Sequence, residues 1–173
     1  LRVFNAEHSK TVPRDYSLVV RAVSQSWQEG VGLDLEGYKD ATHGNTGTNW
    51  MSASSTAKWT SVGGDYVAES ISTAKSQSLE TGLEDLEIDI TQMVEDWLTG
   101  SSGEKYDNYG LGVFLSSSYE AQFSSSTGEN SASVIHNPSG ATVSYYTKRF
   151  FARGSQYFFK RPVLEARWDD TTK

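Results

Sequence analysis

The sequence predicts an all-β protein, an antiparallel jelly-roll-like β-sandwich with one short helix. Three observations carry that expectation. Runs rich in β-branched and aromatic residues recur along the chain, Ser/Thr/Gly/Asn-rich connections separate them, and a single segment has helical periodicity. At 173 residues the chain is expected to form one domain, 1–173, long enough to bury a real core. Aromatic residues make up 12% of it, and their large buried areas offset an apolar content of only 36%.

Taken in order, "LRVF" at 1–4 and "YSLVVRAV" at 16–23 are strand-forming by composition. "LEIDI" at 86–90 alternates, with Leu86, Ile88 and Ile90 on one face and Glu87 and Asp89 on the other. The following "TQMVEDWLTG" spaces Met93, Val94, Trp97 and Leu98 to form one apolar helical face, and turns Glu95 and Asp96 outward. Asp89 or Thr91 can cap its start, and Gly100 stands where a helix-ending glycine belongs. "GLGVFLSS" at 110–117 reads as a buried strand, and "ATVSYY" at 141–146 as another after the Asn137-Pro138-Ser139-Gly140 turn. "SASSTAKWTSVGG", "SSSYEAQFSSSTGENSAS" and "KDATHGNTGTN" read as loops.

The closing "FFKRPVLEARW" reads as a half-buried strand. One face collects Phe158, Pro162, Leu164, Ala166 and Trp168, interrupted by Lys160, and the other Arg161, Glu165 and Arg167, interrupted by Phe159 and Val163. Pro162 cannot donate to a ladder, so the strand is an edge, is bulged, or begins there. Phe150, Phe151, Tyr157, Phe158 and Phe159 exceed what one core-facing side of two adjacent segments can hold. A protein partner is the commonest cover for such a surplus.

Charge narrows the partner. The formal −7 repels phosphate on average, which argues against nucleic acid. The distribution is uneven: residues 84–96 hold six acids and no base, whereas 148–167 hold six bases against Glu165 alone. Such blocks pair within a chain or between copies of it. No stretch approaches the roughly 18 apolar residues of a membrane helix, so no membrane partner is expected.

Enzyme signatures are missing. His8, His43 and His136 belong to no zinc-binding motif and read as loop histidines, and the absence of cysteine excludes thiolate chemistry. "GLG" at 110–112 lacks the third glycine and the helix of a dinucleotide fingerprint, and no phosphate loop or nucleophile elbow occurs. Asp34, Glu36 and Asp40 in "GLDLEGYKD" offer oxygen ligands that would suit calcium, although their spacing fails the EF-hand loop. No other cofactor is expected. Trp50 and Trp59 lie near polar loops and either plug the core or stack on a sugar ring; for Trp27, directly after an alternating strand, the core placement is the stronger.

The order "WQEGVGLDLEGYKD", "TNWM…WTSVGGDY", "LEIDITQMVEDWLTGSSGEKYDNYGLGVFL" and "RPVLEARWDD" resembles the DNRLRE-type β-sandwich domain over nearly the whole chain. The matching positions are Trp27, Glu29, Ile88, Val94, Trp97, Asn108, Gly110, Leu111, Arg161, Pro162 and Leu164. The end, "YTKRFFARGSQYFFKRPVLEARWDD", is similar to the ends of virion proteins from tailed bacteriophages. The resemblance implies a jelly-roll-like sandwich used for adhesion, sugar binding or assembly, with no shared catalytic residues and Trp97 as a packing residue. The acidic "LDLEGYKD" and the aromatic end depart from the family pattern. The resulting expectation is a non-catalytic virion component of the neck, tail or capsid surface. It would sit in a symmetric multi-copy assembly with other virion proteins. Arg149, Phe150, Phe151, Arg153, Tyr157, Phe159 and Arg161 are the expected interface. The alternative is a carbohydrate-binding module using Trp50 and Trp59.

Overall fold

A computed structural model of the chain describes residues 1–9, 11–29, 47–48, 52–61, 63–68, 73–99, 106–116, 123–124, 134–135 and 148–168. Among the described residues the architecture is antiparallel β with one short α-helix. Strand β1 spans Arg2–Val3, β2 Tyr16–Ala22, β3 Ala74–Leu79 and β4 Leu86–Glu87. Helix α1 spans Thr91–Thr99, and β5 Leu111–Leu115, β6 Phe123–Ser124 and β7 Val134–Ile135 follow.

β2 is the centre of a three-stranded sheet in the order β3-β2-β5, with Leu18 opposite both Gln77 and Leu115. Its period-two pattern buries Tyr16, Leu18, Val20 and Ala22 on one face. Leu79, Leu86, Ile88, Ile90 and Met93 close over that face to form the core. Each such side chain, moved from water to the interior, contributes about 1.5–3 kcal/mol.

A second, smaller sheet forms around the start of the chain. β1 pairs with β4, Arg2 opposite Glu87 and Val3 opposite Leu86. On its other flank Arg2 and Val163 exchange both backbone bonds (2.8 and 2.9 Å), Phe151 N donates to Phe4 O and Ala6 N to Arg149 O. Residues 2–6 therefore run between two segments from distant parts of the chain. Asp85 ties the edge: Oδ1 accepts from Asn5 N (2.8 Å) and Oδ2 from the Arg2 guanidinium (3.2 Å). Besides the shared core, a side-chain amide joins the two sheets. Gln77 on β3 donates to Asp85 O (2.8 Å) and accepts from Glu87 N (2.7 Å), imitating the backbone pairing a neighbouring strand would supply.

The alternation read in "LEIDI" holds in burial although only Leu86–Glu87 form a ladder: Leu86, Ile88 and Ile90 are buried, and Glu87 and Asp89 exposed. Asp89 Oδ1 accepts from Thr91 N and Thr91 Oγ1, fixing the turn into α1, and those two bonds hold its carboxyl below the usual range. Within α1 two expectations are corrected. Asp96 is buried (5% exposed), accepting from Gln92 Nε2, and Leu98 is 80% exposed. The buried face is centred on Met93, with Val94 and Trp97 at its margins, and five residues of helix carry Leu98 about 140° away from it.

Three further readings change. β5 is half-buried rather than buried, with Val113 turned to solvent. A short β6–β7 pairing, Phe123 opposite Ile135, interrupts a stretch read as loop. The closing strand is absent as such: Phe158–Lys160 form a 3-10 turn, only Val163 bridges to β1, and the face expected to be covered stays exposed. Pro162 lies between Arg161, which caps that turn, and the bridge at Val163, where its missing N–H costs nothing. "ATVSYY" at 141–146 and Gly100 lie outside the described residues.

The loop between β3 and β4 gives a prediction. Glu84 Oε1 accepts from Glu80 N (3.1 Å) and Thr81 N (2.8 Å). Desolvation pushes its pKa upward, but hydrogen bonds from the Thr81, Glu84 and Glu80 backbone and the Thr81 hydroxyl outweigh it and bring it from 4.5 down to about 2. A depressed folded pKa contributes stability above the unfolded value, and that contribution is lost as pH falls through the folded one. Glu84→Gln is therefore expected to be less stable than the parent near pH 6, with the gap closing between pH 4.5 and 2. Urea unfolding across that range checks it; a gap independent of pH would refute it.

Candidate functional site

The C-terminal segment pairs antiparallel to residues 4–6 through 149–151, then leaves the sheet and returns only at Val163, opposite Arg2. Residues 152–162 are thus an excursion from the sheet edge, between the partners of Phe4 and Arg2. Its base is fixed by Lys148, whose Nζ donates to Asn5 Oδ1 (2.6 Å), Gly82 O (2.8 Å) and Glu84 O (2.9 Å) and lies 4.8 Å from the Phe150 ring. Desolvation lowers the Lys148 pKa despite the attraction of Glu84 and Asp85.

The excursion braces itself. Ser155 N donates to Ala152 O, Lys160 N to Tyr157 O, and Arg161 Nε to Ser155 O (2.9 Å). Phe151 and Tyr157 meet edge to face, as do Phe158 and Phe159, whose centroids are 5.5 Å apart. Arg161 covers the Phe158 ring and Lys160 the Phe4 ring. The result is a knob of aromatic rings held from behind by cations. Phe159 is 87% exposed, Tyr157 and Phe158 are more than half exposed, and Leu164 and Trp168 continue the apolar surface beyond Val163. Soluble monomers seldom present large apolar side chains so densely.

The expected interface residues divide. Arg149, Arg153, Tyr157 and Phe159 face solvent, while Phe151 and Arg161 are half-buried. Phe150 packs against the core. Arg153 forms an exposed ion pair with Glu29 (2.5 Å), and Arg167 pairs with Glu165 through two bonds of 2.8 and 3.1 Å. Among the described residues the acidic and basic blocks meet where Lys148 reaches the Gly82–Asp85 loop, and Arg167 also lies within the field of Glu87. Phe158, Leu164 and Trp168, read from the sequence as core-facing, join the exposed surface.

A second feature lies just beyond the C-terminal end of β2, where Val23 bridges to Tyr66. Val23, Trp27, Trp59, Tyr66, Leu111 and Val113 line a cleft of about 290 Å³. Trp27 is 41% exposed, which corrects its reading as a core residue, although its indole N–H does find a backbone carbonyl, Tyr109 O at 2.7 Å. Tyr66 packs on Phe114 with centroids 4.9 Å apart and donates its hydroxyl to Gly63 O (2.8 Å). Gly112 permits this packing, because a Cβ there would stand 2.4 Å from Tyr66 Cε1. Alongside runs a polar recess containing Arg21, Gln25 and Asp65. Asp65 accepts from Gln25 Nε2 (2.6 Å), Thr60 N (2.8 Å) and Ser61 N (2.9 Å), and Arg21 donates to Val67 O (2.8 Å). Trp59 was the only member of this cleft that the sequence had marked for sugar stacking. Tyr66 had no motif to announce it; its signal was the neighbouring Gly63-Gly64 pair, which permits a tight turn beneath a large ring.

Trp50, Asp34, Glu36, Asp40, His43 and His136 lie outside the described residues. Among the described residues no three His, Cys, Asp or Glu side chains gather as a metal site, and no helix is long and apolar enough to cross a membrane. Compared with family models, curated proteins and solved structures, the chain gives no match.

Proposed function

We propose that the chain is a non-catalytic assembly module of a tailed-phage particle. It is a jelly-roll-like sandwich of the DNRLRE type, seated in the neck, tail or capsid surface, that binds virion proteins through its C-terminal excursion. The observation that carries the reading is the braced knob at Tyr157–Arg161, whose rings stand in solvent at the edge of a well-packed sheet. A protein partner suits it better than nucleic acid. Arg153 is occupied by Glu29, Arg167 by Glu165 and Arg161 by the Ser155 carbonyl, so few cations remain to track phosphates.

The test is incorporation into the particle. Because both rings are exposed, Tyr157→Ala/Phe159→Ala is expected to fold like the parent yet fall at least roughly tenfold in particle content, as truncating interface aromatics does. Quantitative mass spectrometry of purified particles reads this. Unchanged content in a folded variant would remove the reading.

A second reading, a carbohydrate-binding module, is favoured by one observation, the presence of Trp59 and Trp27 in the same cleft. Stacking a sugar on a partly exposed indole would shift tryptophan emission during a glycan titration. No shift across a panel of hexose, uronate and amino-sugar oligomers would count against it.

A further inference from the structure

We infer that the partner of the knob is a second copy of this chain, and that Phe159 of one copy seats in the Trp27–Trp59–Tyr66 cleft of the next. This rests on the assembly reading and names the partner within it.

Two complementary features occur on one chain. The knob presents Phe159 at 87% exposure, stiffened by Phe158 and backed by cations. The cleft offers an apolar recess of about 290 Å³, rimmed by Trp27 and by Val113 at 43% exposure. The knob does not fill the cleft of its own copy. A protruding apolar group and a recess elsewhere on the same molecule form a head-to-tail contact between copies.

The polar chemistry around the cleft selects an apolar guest over a sugar. A sugar needs its hydroxyls hydrogen-bonded once water is displaced. Here the Trp27 indole N–H is committed to Tyr109 O and the Tyr66 hydroxyl to Gly63 O. The Asp65 carboxylate already accepts three bonds. Among the described residues, the ring faces and aliphatic edges of Val23, Trp27, Trp59, Tyr66, Leu111 and Val113 make up most of the lining beside Thr48 and Asp65, and an aromatic side chain covers them without hydroxyls of its own to satisfy.

Charge favours the same partner. Residues 148–167 carry six bases and one acid, so of the formal −7 the remainder of the chain holds −12. The knob of one copy approaches the acidic body of another along a favourable field, and that attraction weakens as salt screens it. Donor and acceptor surfaces differ, so repetition of the contact builds a ring or a filament, the multi-copy arrangement expected of a particle component.

Two variants kill one side each. Phe159→Ala removes the knob and keeps the cleft; Val113→Arg, at an exposed β5 position, fills the cleft rim with a cation that repels Lys160 and keeps the knob. Light scattering on the whole chain, over a concentration series at low and high salt, is expected to show self-association that weakens with salt. Each variant alone should lose at least roughly tenfold in affinity. Mixed in equal amounts they should form a one-to-one pair and nothing larger, because one competent knob meets one competent cleft. A parent that stays monomeric throughout would overturn the inference, as would a mixture of folded variants that never pairs. If the parent is monomeric while Phe159→Ala still loses particle incorporation, the partner is another virion protein and the assembly reading survives. If the parent is monomeric and incorporation is unaffected, both fall. A glycan that binds the parent but not Val113→Arg, with no self-association, assigns the cleft to sugar and overturns the inference.

Discussion

Replacing Gly82 by alanine is expected to destabilise the fold by about 3–4 kcal/mol, a large part of what holds a domain of this size together. Two effects add. Gly82 has φ +77°, a left-handed conformation that costs an L-residue roughly 1–2 kcal/mol. A Cβ there would also stand 1.9 Å from Pro13 O and 2.6 Å from Val12 Cγ1. The first of these is backbone, which cannot rotate aside, so the β3–β4 loop or the segment entering β2 must move. Urea unfolding measures the loss. Gly154→Ala is the control: no atom lies within 4 Å of its Cβ position, so it should leave the midpoint nearly unchanged. If both glycines tolerate alanine equally, the Pro13–Gly82 contact is not part of the folded state.

Lys148→Met is expected to cost about 3 kcal/mol by removing the ammonium that joins three parts of the chain. Methionine keeps most of the aliphatic stem, so the loss isolates the donors. Without them the Gly82 and Glu84 carbonyls and Asn5 Oδ1 each lose a close donor in a half-buried site. The effect should be sub-additive with Gly82→Ala, because both act on the same loop and share the Gly82 carbonyl. Thermal and urea unfolding of the single and double variants read both statements. A Lys148→Met protein within roughly 0.5 kcal/mol of the parent, the range of ordinary surface substitutions, would mean the lysine bonds hold no part of the fold together.

Local pattern made some of this molecule legible in advance. The Leu86, Ile88 and Ile90 alternation and the Tyr16–Ala22 strand follow from neighbours two residues apart, which a sequence displays directly. The helix was legible as a helix, yet its face was misassigned. Grouping Leu98 with Met93, Val94 and Trp97 spreads the apolar stripe too far round the cylinder and so turns Asp96 outward, whereas Asp96, three residues after Met93, shares the buried face. The surplus of aromatic residues at the end of the chain was visible. Its division was not, because the pairing of 149–151 with 4–6 joins residues more than 140 apart and no periodicity reports such a contact. For the same reason Phe150 could not be told from Phe159, and a strand-like alternation concealed an excursion. The cleft was least legible. Trp27, the Trp59–Tyr66 loop and Val113 come from three separate segments brought together beside β2 and β5.

The position of residues 2–6 between the 85–88 and 149–163 segments has a consequence for biosynthesis. Asn5 receives its bond from Lys148, which lies 143 residues later in the chain. At translation speeds of about 5–20 residues per second, the early strand leaves the ribosome roughly 7–30 seconds before its last partner is made. During that interval its edge is unpaired and the apolar faces of Val3 and Phe4 are open to other nascent chains. The sheet is thus completed late, only once residues 148–163 have emerged. Early stop codons and slow codon clusters between 90 and 148 are expected to raise aggregation more than equal delays placed after 163.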